Sequence, residues 1–260
     1  MVRSSFQIQR DVIYALVLRE VGARLGKSRV GLLWVMIEPV AHLLFPVILF
    51  GVFLERTLPG GVKYPVFLVY GFLPFLLFKT ICLQTMEGVS ANKALLSYRQ
   101  ITLMDVFVAR VIANCAIEAM VFGIVLFGLG MFEFDVLPSY PIEFVGALAL
   151  TVAVAFGLGL LFAAIGSMIP DAKSLIRVLF IPLYFASGVL FPITRFPDSL
   201  VDALSVNPVL HLVELSRSAA IGQYQPMHQM NVLYPLALAL MANFLGLAMY
   251  RLRYLSRVTM

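Results

Sequence analysis

Six long apolar stretches constrain the fold of this chain more than any other feature of its sequence. A bilayer has a hydrocarbon core about 30 Å thick, which a helix crosses with about 20 residues because each residue adds about 1.5 Å. The stretches that meet this length are residues 32–54, 65–86, 103–132, 142–168, 175–196 and 232–250. Since lipid cannot satisfy free backbone amides, each stretch is predicted to be helical. The sequence therefore predicts an all-α integral membrane protein with six transmembrane helices.

The composition excludes a soluble protein. Apolar residues make up 61% of the 260 residues and charged residues only 13%, whereas soluble domains are about half apolar. The net charge of +5 does not predict nucleic-acid binding, because the basic residues lie at the ends of apolar stretches rather than on a soluble module. Cys82 and Cys115 both fall within apolar stretches, which favours two buried free thiols over a disulfide.

The distribution of Lys and Arg predicts the orientation in the membrane. Basic residues concentrate before the first stretch, after the second and fourth stretches, and after the sixth. The loops on the other side contain only Arg56, Lys63, Arg195 and Arg217. Because cytoplasmic loops are enriched in Lys and Arg, both termini are predicted to be cytoplasmic.

A single membrane domain is predicted to cover residues 1–260. Within residues 1–30, a helix at 6–29 has apolar residues at i, i+4 spacing, interrupted by Arg10, Glu20 and Arg24. With its basic neighbours this segment is interpreted as an interfacial helix on the anionic cytoplasmic leaflet, and a solvated tail is the alternative. The six-span bundle is assigned to residues 31–252, and a cytoplasmic tail to residues 253–260.

The region between the fifth and sixth stretches is predicted to form short re-entrant periplasmic helices at about 197–225. Asn207 and Pro208 are typical of a turn followed by a helix start, and the apolar pattern continues to Gly222. Re-entrant helices at membrane depth need a protein cover or a polar cavity. Candidate residues for an outer gate are Asn207, Pro208, His211, Glu214 and Arg217.

No pattern typical of a catalytic, nucleotide or metal site is complete. The segment Gly26-Lys27-Ser28 resembles the end of a phosphate-binding loop, but the glycine needed five residues earlier is missing and no strand precedes it. Glu38 with His42, and His211 with Glu214, supply fewer ligands than the three or four of a zinc site. The chain is therefore expected to bind no cofactor or metal.

Ionisable and aromatic residues within the stretches are candidates for a substrate path. Glu38, Lys79 and Glu118 are costly in hydrocarbon and are expected to face the bundle interior, a cavity or a partner. Aromatic faces stack on sugar rings and permit sliding, which suits a polymer passing lengthwise, although core packing or lipid contact is the alternative. The candidate path residues are Phe67, Tyr70, Phe75, Phe78, Lys79, Tyr184 and Phe185.

The cytoplasmic loop at residues 88–102 contains a run around 92–97 that is compatible with a short helix. Leu95 and Leu96 are expected to be exposed on it. Exposed apolar residues on a short helix favour docking into the groove of a partner protein, and a simple connector is the alternative.

Several short motifs follow one another along nearly the whole chain. They are Leu18-Arg19-Glu20, Gly31-Leu32-Leu33-Trp34, Glu38-Pro39-Val40-Ala41-His42, Pro65-Val66-Phe67-Leu68, Ala91-Asn92-Lys93, Tyr98-Arg99, Pro182-Leu183-Tyr184-Phe185, Phe191-Pro192 and Asn207-Pro208-Val209-Leu210-His211. Each is weak alone. In this order and spacing they resemble the ABC-2 type permeases, and within that family the capsular polysaccharide exporters of Gram-negative bacteria.

The resemblance implies the ABC-2 fold, also called the type V exporter fold, in the bacterial inner membrane. It implies a homodimer with two ABC ATPase subunits, a periplasmic co-polymerase or adaptor leading to an outer-membrane channel, and a lipid-anchored, often acidic polysaccharide as substrate. ATP and Mg would bind the ATPase, so this chain is expected to be no enzyme. The loop at 88–102 resembles the family's coupling helix. Its candidate coupling residues are Asn92, Lys93, Leu95, Leu96, Tyr98 and Arg99.

Three alternatives stay open at this point. An O-antigen or teichoic-acid permease would share the fold and differ in substrate. An intramembrane glycan ligase or polymerase would need a periplasmic acid or base constellation, whereas Asp198, Asp202 and Glu214 are scattered in the sequence. A passive channel would need no ATPase.

Overall fold

A computed structural model of the chain describes residues 5–25, 61–92 and 101–258, together with the isolated positions 37, 40, 41, 44–47, 49, 58 and 95. Within these residues the backbone forms helices, turns and coil, with no strand. The α-helices are α1 (Ser5–Leu25), α2 (Tyr64–Met86), α3 (Gly88–Ala91), α4 (Leu103–Met131), α5 (Pro141–Met168), α6 (Ala172–Ala186), α7 (Asp198–Leu204), α8 (Pro208–Ala220) and α9 (Leu233–Val258). The predicted all-α class is confirmed for this part of the chain.

Within the described residues, four helices are long and apolar enough to cross a membrane: α2, α4, α5 and the Leu233–Leu252 part of α9. They coincide with the second, third, fourth and sixth apolar stretches of the sequence. The most apolar window of α2 is 78% buried, against 28% for α4, 44% for α5 and 22% for α9. Helix α2 therefore lies at the centre, where it packs against α4, α5 and α8.

The fifth apolar stretch forms a shorter helix than predicted. Helix α6 has 15 residues, which span about 22 Å and are too few to cross a 30 Å hydrocarbon core alone. It ends where the Ser187 hydroxyl donates to the Leu183 carbonyl at 2.7 Å and Gly188 adopts a φ of +65°. The helix predicted for the first stretch, residues 32–54, lies outside the described residues except at isolated positions.

The two ends of the bundle differ in their loops. At the end called here the α3 end, α2 finishes, α3 follows and α4 begins. At the opposite α8 end, the backbone amides of Ser139 and Tyr140 donate to the carbonyls of Ala220 and Ala219 at 3.0 and 2.8 Å. Since the last carbonyls of a helix have no partner within it, the α4–α5 loop caps α8.

Helix α1 lies against the first half of α4. Leu16 forms a buried cluster with Val106 and Ala109. Helix α4 begins with a capping box in which Thr102 and Asp105 satisfy each other's backbone amides. The N-terminal helix predicted at 6–29 is thus confirmed over Ser5–Leu25, and its position on a membrane leaflet stays a prediction.

The region predicted to contain short helices, at about 197–225, does form α7 and α8. Helix α8 begins one residue after Asn207, with Pro208 in its first turn. Their re-entrant placement in the membrane stays a prediction.

Candidate functional site

Arg217 is the most deeply buried cation among the described residues, with none of its surface exposed. Its Nε donates to the Phe67 carbonyl at 3.1 Å, and its Nη1 and Nη2 donate to the Gly188 and Val189 carbonyls at 2.7 Å each. The guanidinium also stacks on the Phe67 ring, with Cζ 3.6 Å from the ring centroid. Arg217 on α8 therefore holds both α2 and the irregular chain that follows α6.

Two glycines shape this contact in different ways. A Cβ at Gly71 would overlap the guanidinium of Arg217, so glycine permits α2 to approach it closely. At Gly188 the φ of +65° favours glycine, and a Cβ there would lie 2.6 Å from the side chain of Ile193. Gly71 therefore leaves room for the guanidinium, and Gly188 allows the turn whose carbonyl accepts from it.

Glu214 lies one turn before Arg217 and is also fully buried. Its Oε1 is 3.6 Å from Nη1 of Arg217 and accepts a 2.7 Å hydrogen bond from the Tyr224 hydroxyl. Its Oε2 accepts from the Met227 backbone amide at 3.0 Å. Burial, and then the charge of Glu214, raise the pKa of Tyr224, so the phenol keeps its proton as the donor. Both carboxylate oxygens are thus occupied by protein groups.

His211 joins α8 to the chain on either side of it. The Asn231 backbone amide donates to Nδ1 at 3.1 Å, which places the ring proton on Nε2, and Nε2 then donates to the Ser205 carbonyl at 2.7 Å. The ring also meets Tyr234 edge-on, with centroids 5.3 Å apart. These contacts hold α9 close to α8.

Asn207 caps the start of α8. Its Oδ1 accepts from the Val209 amide at 3.0 Å, the usual interaction of an N-cap residue. Its Nδ2 donates to the Ser187 hydroxyl at 2.9 Å. The cap thereby fixes α8 to the end of α6.

A proline in α2 gives α8 a further attachment. Pro74 has no backbone N–H, so the Tyr70 carbonyl four residues earlier loses its helical donor. The Ser216 hydroxyl donates to this carbonyl at 3.0 Å.

Among the predicted gate residues, His211, Glu214 and Arg217 are buried in α8, whereas Asn207 and Pro208 at its start are half-buried. The polar side chains of Asn207, His211, Glu214 and Arg217 all bond to protein.

The predicted path residues occupy two environments. Phe67, Tyr70, Phe75 and Phe78 are all buried in α2. Their ring partners are Tyr224 for Phe67, Phe122 and Phe144 for Tyr70, Tyr184 for Phe75, and Phe180 for Phe78. Lys79 and Tyr184 are half-buried, and Phe185 is 57% exposed. In this conformation most of the set packs as core, and the described contacts place Tyr184 and Phe180 of α6 against α2.

At the α3 end, Glu87 joins α2 and α3 to the start of α6. Its carboxylate lies 3.0 Å from Lys173 Nζ and 2.6 Å from Arg177 Nη2, and it accepts from the Ser90 hydroxyl at 2.7 Å. Burial would raise the pKa of Glu87, but the hydrogen bonds from Ser90 and Lys173 and the charges of Lys173 and Arg177 outweigh it, so the pKa lies below its ordinary value of 4.5. We call Glu87, Ser90, Lys173 and Arg177 the Glu87 cluster.

Helix α1 reaches the same end through polar contacts. Arg19 donates to Oδ1 of Asn92, whose Nδ2 donates to the Gly88 carbonyl at 3.0 Å. Glu20 lies 3.4 Å from Nη2 of Arg110 in α4. These contacts tie α3 to α1, and α1 to α4.

Only two of the predicted coupling residues lie within the described part of the chain. Asn92 is 2% exposed and binds Arg19, whereas Leu95 is half-buried. The described helix of this loop is α3, which precedes the run predicted at 92–97. Lys93, Leu96, Tyr98 and Arg99 lie outside the described residues, as do Glu38 and His42.

The remaining predictions concern the two cysteines and possible metal ligands. Cys82 and Cys115 are free thiols, as predicted, with Cys82 buried and Cys115 partly so. Among the described residues, no three His, Cys, Asp or Glu side chains are grouped as metal ligands would be.

The carbonyl partners of Arg217 and the partners of Arg110 lie far away in the sequence, so no local pattern identifies them. Glu214, three residues before Arg217, is the one near partner described.

Comparison with known proteins gives matches over most of the chain. The family model described as ABC-2 type transporter matches residues 11–221. The polysialic acid transport protein KpsM of Escherichia coli is 34% identical over 97% of this chain and 97% of its own. The capsule polysaccharide export inner-membrane protein CtrC of Neisseria meningitidis serogroup B is 26% identical over 84% of this chain and 82% of its own. The corresponding protein BexB of Haemophilus influenzae is 25% identical over 85% and 83%.

Proposed function

The chain belongs to the ABC-2 type transporter family, and on this premise we propose that it is the membrane subunit of an ATP-driven exporter of capsular polysaccharide. The observation that carries the proposal is the similarity to a polysialic acid transport protein, which extends over 97% of both chains. The contacts at the α3 end support it. Hydrogen bonds and ion pairs join α3 to α1 and to α6, so a displacement of α3 would move both helices.

The proposed assembly contains two copies of this chain and two ABC ATPase subunits. In this assembly ATP and Mg bind the ATPase rather than this chain. The α3 end faces the cytoplasm, with both termini, and the loop around Leu95 and Leu96 docks into the ATPase. Asn92 holds α3 to α1 within the chain rather than contacting the partner.

Motion of the ATPase would reach the bundle through α3. The Glu87 cluster joins α3 to α6, and the pair of Arg19 and Asn92 joins α3 to α1. Because α1 is itself attached to α4 through Glu20 and Arg110, displacement of α3 would shift α4 as well as α6.

The proposed substrate is a lipid-anchored, acidic polysaccharide. The ring contacts between α2 and α6 support a path at this place, since separating α6 from α2 would uncover Phe75, Phe78 and Tyr184 together. Half-buried Lys79 on α2 and exposed Phe185 on α6 are further members of the proposed path. In the conformation described here these rings pack against each other, so the proposed path would require α6 to move away from α2.

The proposed membrane arrangement has six spans, formed by the four helices named above, the first apolar stretch and α6 with the chain after it. Helices α7 and α8 re-enter the periplasmic leaflet as an outer gate, and α1 lies on the cytoplasmic leaflet. The polar side chains of α8 support its placement within the membrane. They bond to protein groups, as burial in the membrane requires. A periplasmic adaptor leading to an outer-membrane channel would meet the α8 end.

Docking at Leu95 and Leu96 is tested by changing both to Asp. Charged residues in an apolar groove are costly, so Leu95→Asp/Leu96→Asp should abolish co-purification with the co-expressed ABC ATPase of the proposed assembly and stop export. The control is Leu137→Asp, since Leu137 is a 78% exposed leucine at the opposite end. Retained co-purification and export in the double variant would refute this docking site.

A further inference from the structure

A polar stripe runs along α4 within the apolar bundle. Arg110, Asn114 and Glu118 are spaced by four residues, so their side chains lie on one face of the helix. Their exposed fractions are 6%, 0% and 9%. Such residues in a membrane helix are expensive and require polar partners.

The two outer members of the stripe meet polar groups of α2. Nη1 of Arg110 donates to the backbone carbonyl of Gln84 at 2.7 Å and lies 3.3 Å from its Oε1. Glu118 Oε1 accepts from the Thr80 hydroxyl at 3.4 Å. The face of α4 that bears the stripe is thus turned towards α2.

Asn114, in the middle of the stripe, differs from both neighbours. It is completely buried, and neither its Oδ1 nor its Nδ2 has a hydrogen-bond partner within the described part of the chain. The adjacent Nε of Arg110 is likewise buried without an acceptor there. The carbonyl oxygen of a side-chain amide can accept two hydrogen bonds, and its NH2 group can donate two. When such groups are buried, they are normally bonded to protein or to ordered water.

A small cavity adjoins the other end of the stripe. It has a volume of about 20 Å³, which is large enough for one water molecule. Glu118 is its one ionisable lining residue, and the other lining residues are apolar: Val69, Phe72, Leu73, Leu76, Val121, Phe122 and Val125. The cavity therefore has room for one water molecule next to the Glu118 side chain.

We propose that Asn114 is the centre of a buried hydration site between α2 and α4. Water molecules bridge Nε of Arg110, the Asn114 amide and the Glu118 carboxylate, and the last of them occupies the cavity. Water-mediated hydrogen bonds can re-form after a small displacement, so this site would let α2 and α4 shift against each other. The hydration site itself does not depend on the proposed transport function.

Radiolytic hydroxyl labelling of the full chain in lipid nanodiscs tests the site, because radicals formed from bound water oxidise adjacent side chains. Phe72 and Leu73 line the cavity and are each 6% exposed, whereas Leu77 and Phe78 on the same helix are 5% and 2% exposed and lie outside its lining. We expect Phe72 and Leu73 to be oxidised several-fold faster than Leu77 and Phe78. Equal, slow oxidation of the four residues would overturn the proposal, and this comparison needs no variant.

A variant gives a second readout. Asn114→Val removes the amide with a smaller increase in volume than leucine would bring, so it should reduce the oxidation of Phe72 and Leu73 to the rate of Leu77 and Phe78. Unchanged fast oxidation of Phe72 and Leu73 in this variant would contradict Asn114 as the centre of the site.

Discussion

Arg217 connects parts of the molecule that no continuous helix connects. Its three donors reach α2 and the two carbonyls that follow α6, and its plane covers Phe67. A planar guanidinium with fixed donor directions suits this arrangement, whereas a lysine ammonium cannot reach three carbonyls in one plane. The main role of the Arg217 side chain is therefore to fix the orientation of α8 through directed hydrogen bonds, and its charge is secondary.

Arg217→Lys should lower the free energy of unfolding by about 2 to 3 kcal/mol, because charged hydrogen bonds to buried carbonyls are lost. The measurement is the midpoint of heat-induced unfolding of the detergent-solubilised chain, which should fall by several degrees. Arg251→Lys is the control, since Arg251 is exposed. If the two variants unfold at the same temperature, the role assigned to Arg217 is wrong.

The sequence identified Arg217 as a polar residue of a predicted gate but assigned its charge to an outward loop. Its partners Phe67 and Gly188 are 150 and 29 positions away, and periodicity or charge counting detects only near neighbours. The same limit applies to Ser216, which compensates for Pro74 in another helix. Sequence reasoning therefore identified Arg217 without its bonds and did not identify Ser216 as a structural residue.

Among the elements, the long apolar helices were predicted well. The starts of α2, α4, α5 and α9 agree with the predicted stretches to within one residue, because burial in lipid requires continuous apolar helices. The early end of α6 depends on the conformation of Gly188, and the extension of α9 to Val258 includes charged residues. A hydropathy pattern predicts neither the end of α6 nor the C-terminal extension of α9.

The Glu87 cluster is the element-scale contact that attaches α3 to α6. Its ion pairs are partly exposed, so they contribute at most about 1 kcal/mol. Because the pKa of Glu87 is lowered in the folded chain, the stabilisation is present above the unfolded-state pKa and is lost as the pH falls through the folded-state pKa.

Glu87→Gln should therefore lower the unfolding temperature at pH 7 and have no effect at a pH below the folded-state pKa of Glu87. A double-mutant cycle with Lys173→Gln supplies the control, since the two changes should be non-additive at pH 7 and additive in acid. Additive effects at both pH values would contradict a coupled cluster.

At the scale of the whole molecule, broad apolar surfaces remain uncovered on several helices. Exposed side chains on α4, α6 and α9 include Phe127, Leu175, Val178, Ile181, Leu240 and Phe244. In water such surfaces would cause aggregation, whereas lipid or a second copy of the chain can cover them. The polar groups lie inside instead, between α8 and α2 and between α4 and α2.

The central claim, that this chain exports a polysaccharide made inside the cell, is tested by deleting its gene in its own host and locating the polymer. Cell fractionation and staining with a polymer-specific antibody should find the polysaccharide accumulated in the cytoplasm and absent from the surface. The intact gene should restore the surface polymer. An unchanged surface polymer, or loss of polymer without internal accumulation as expected for a polymerase or ligase, would contradict the account.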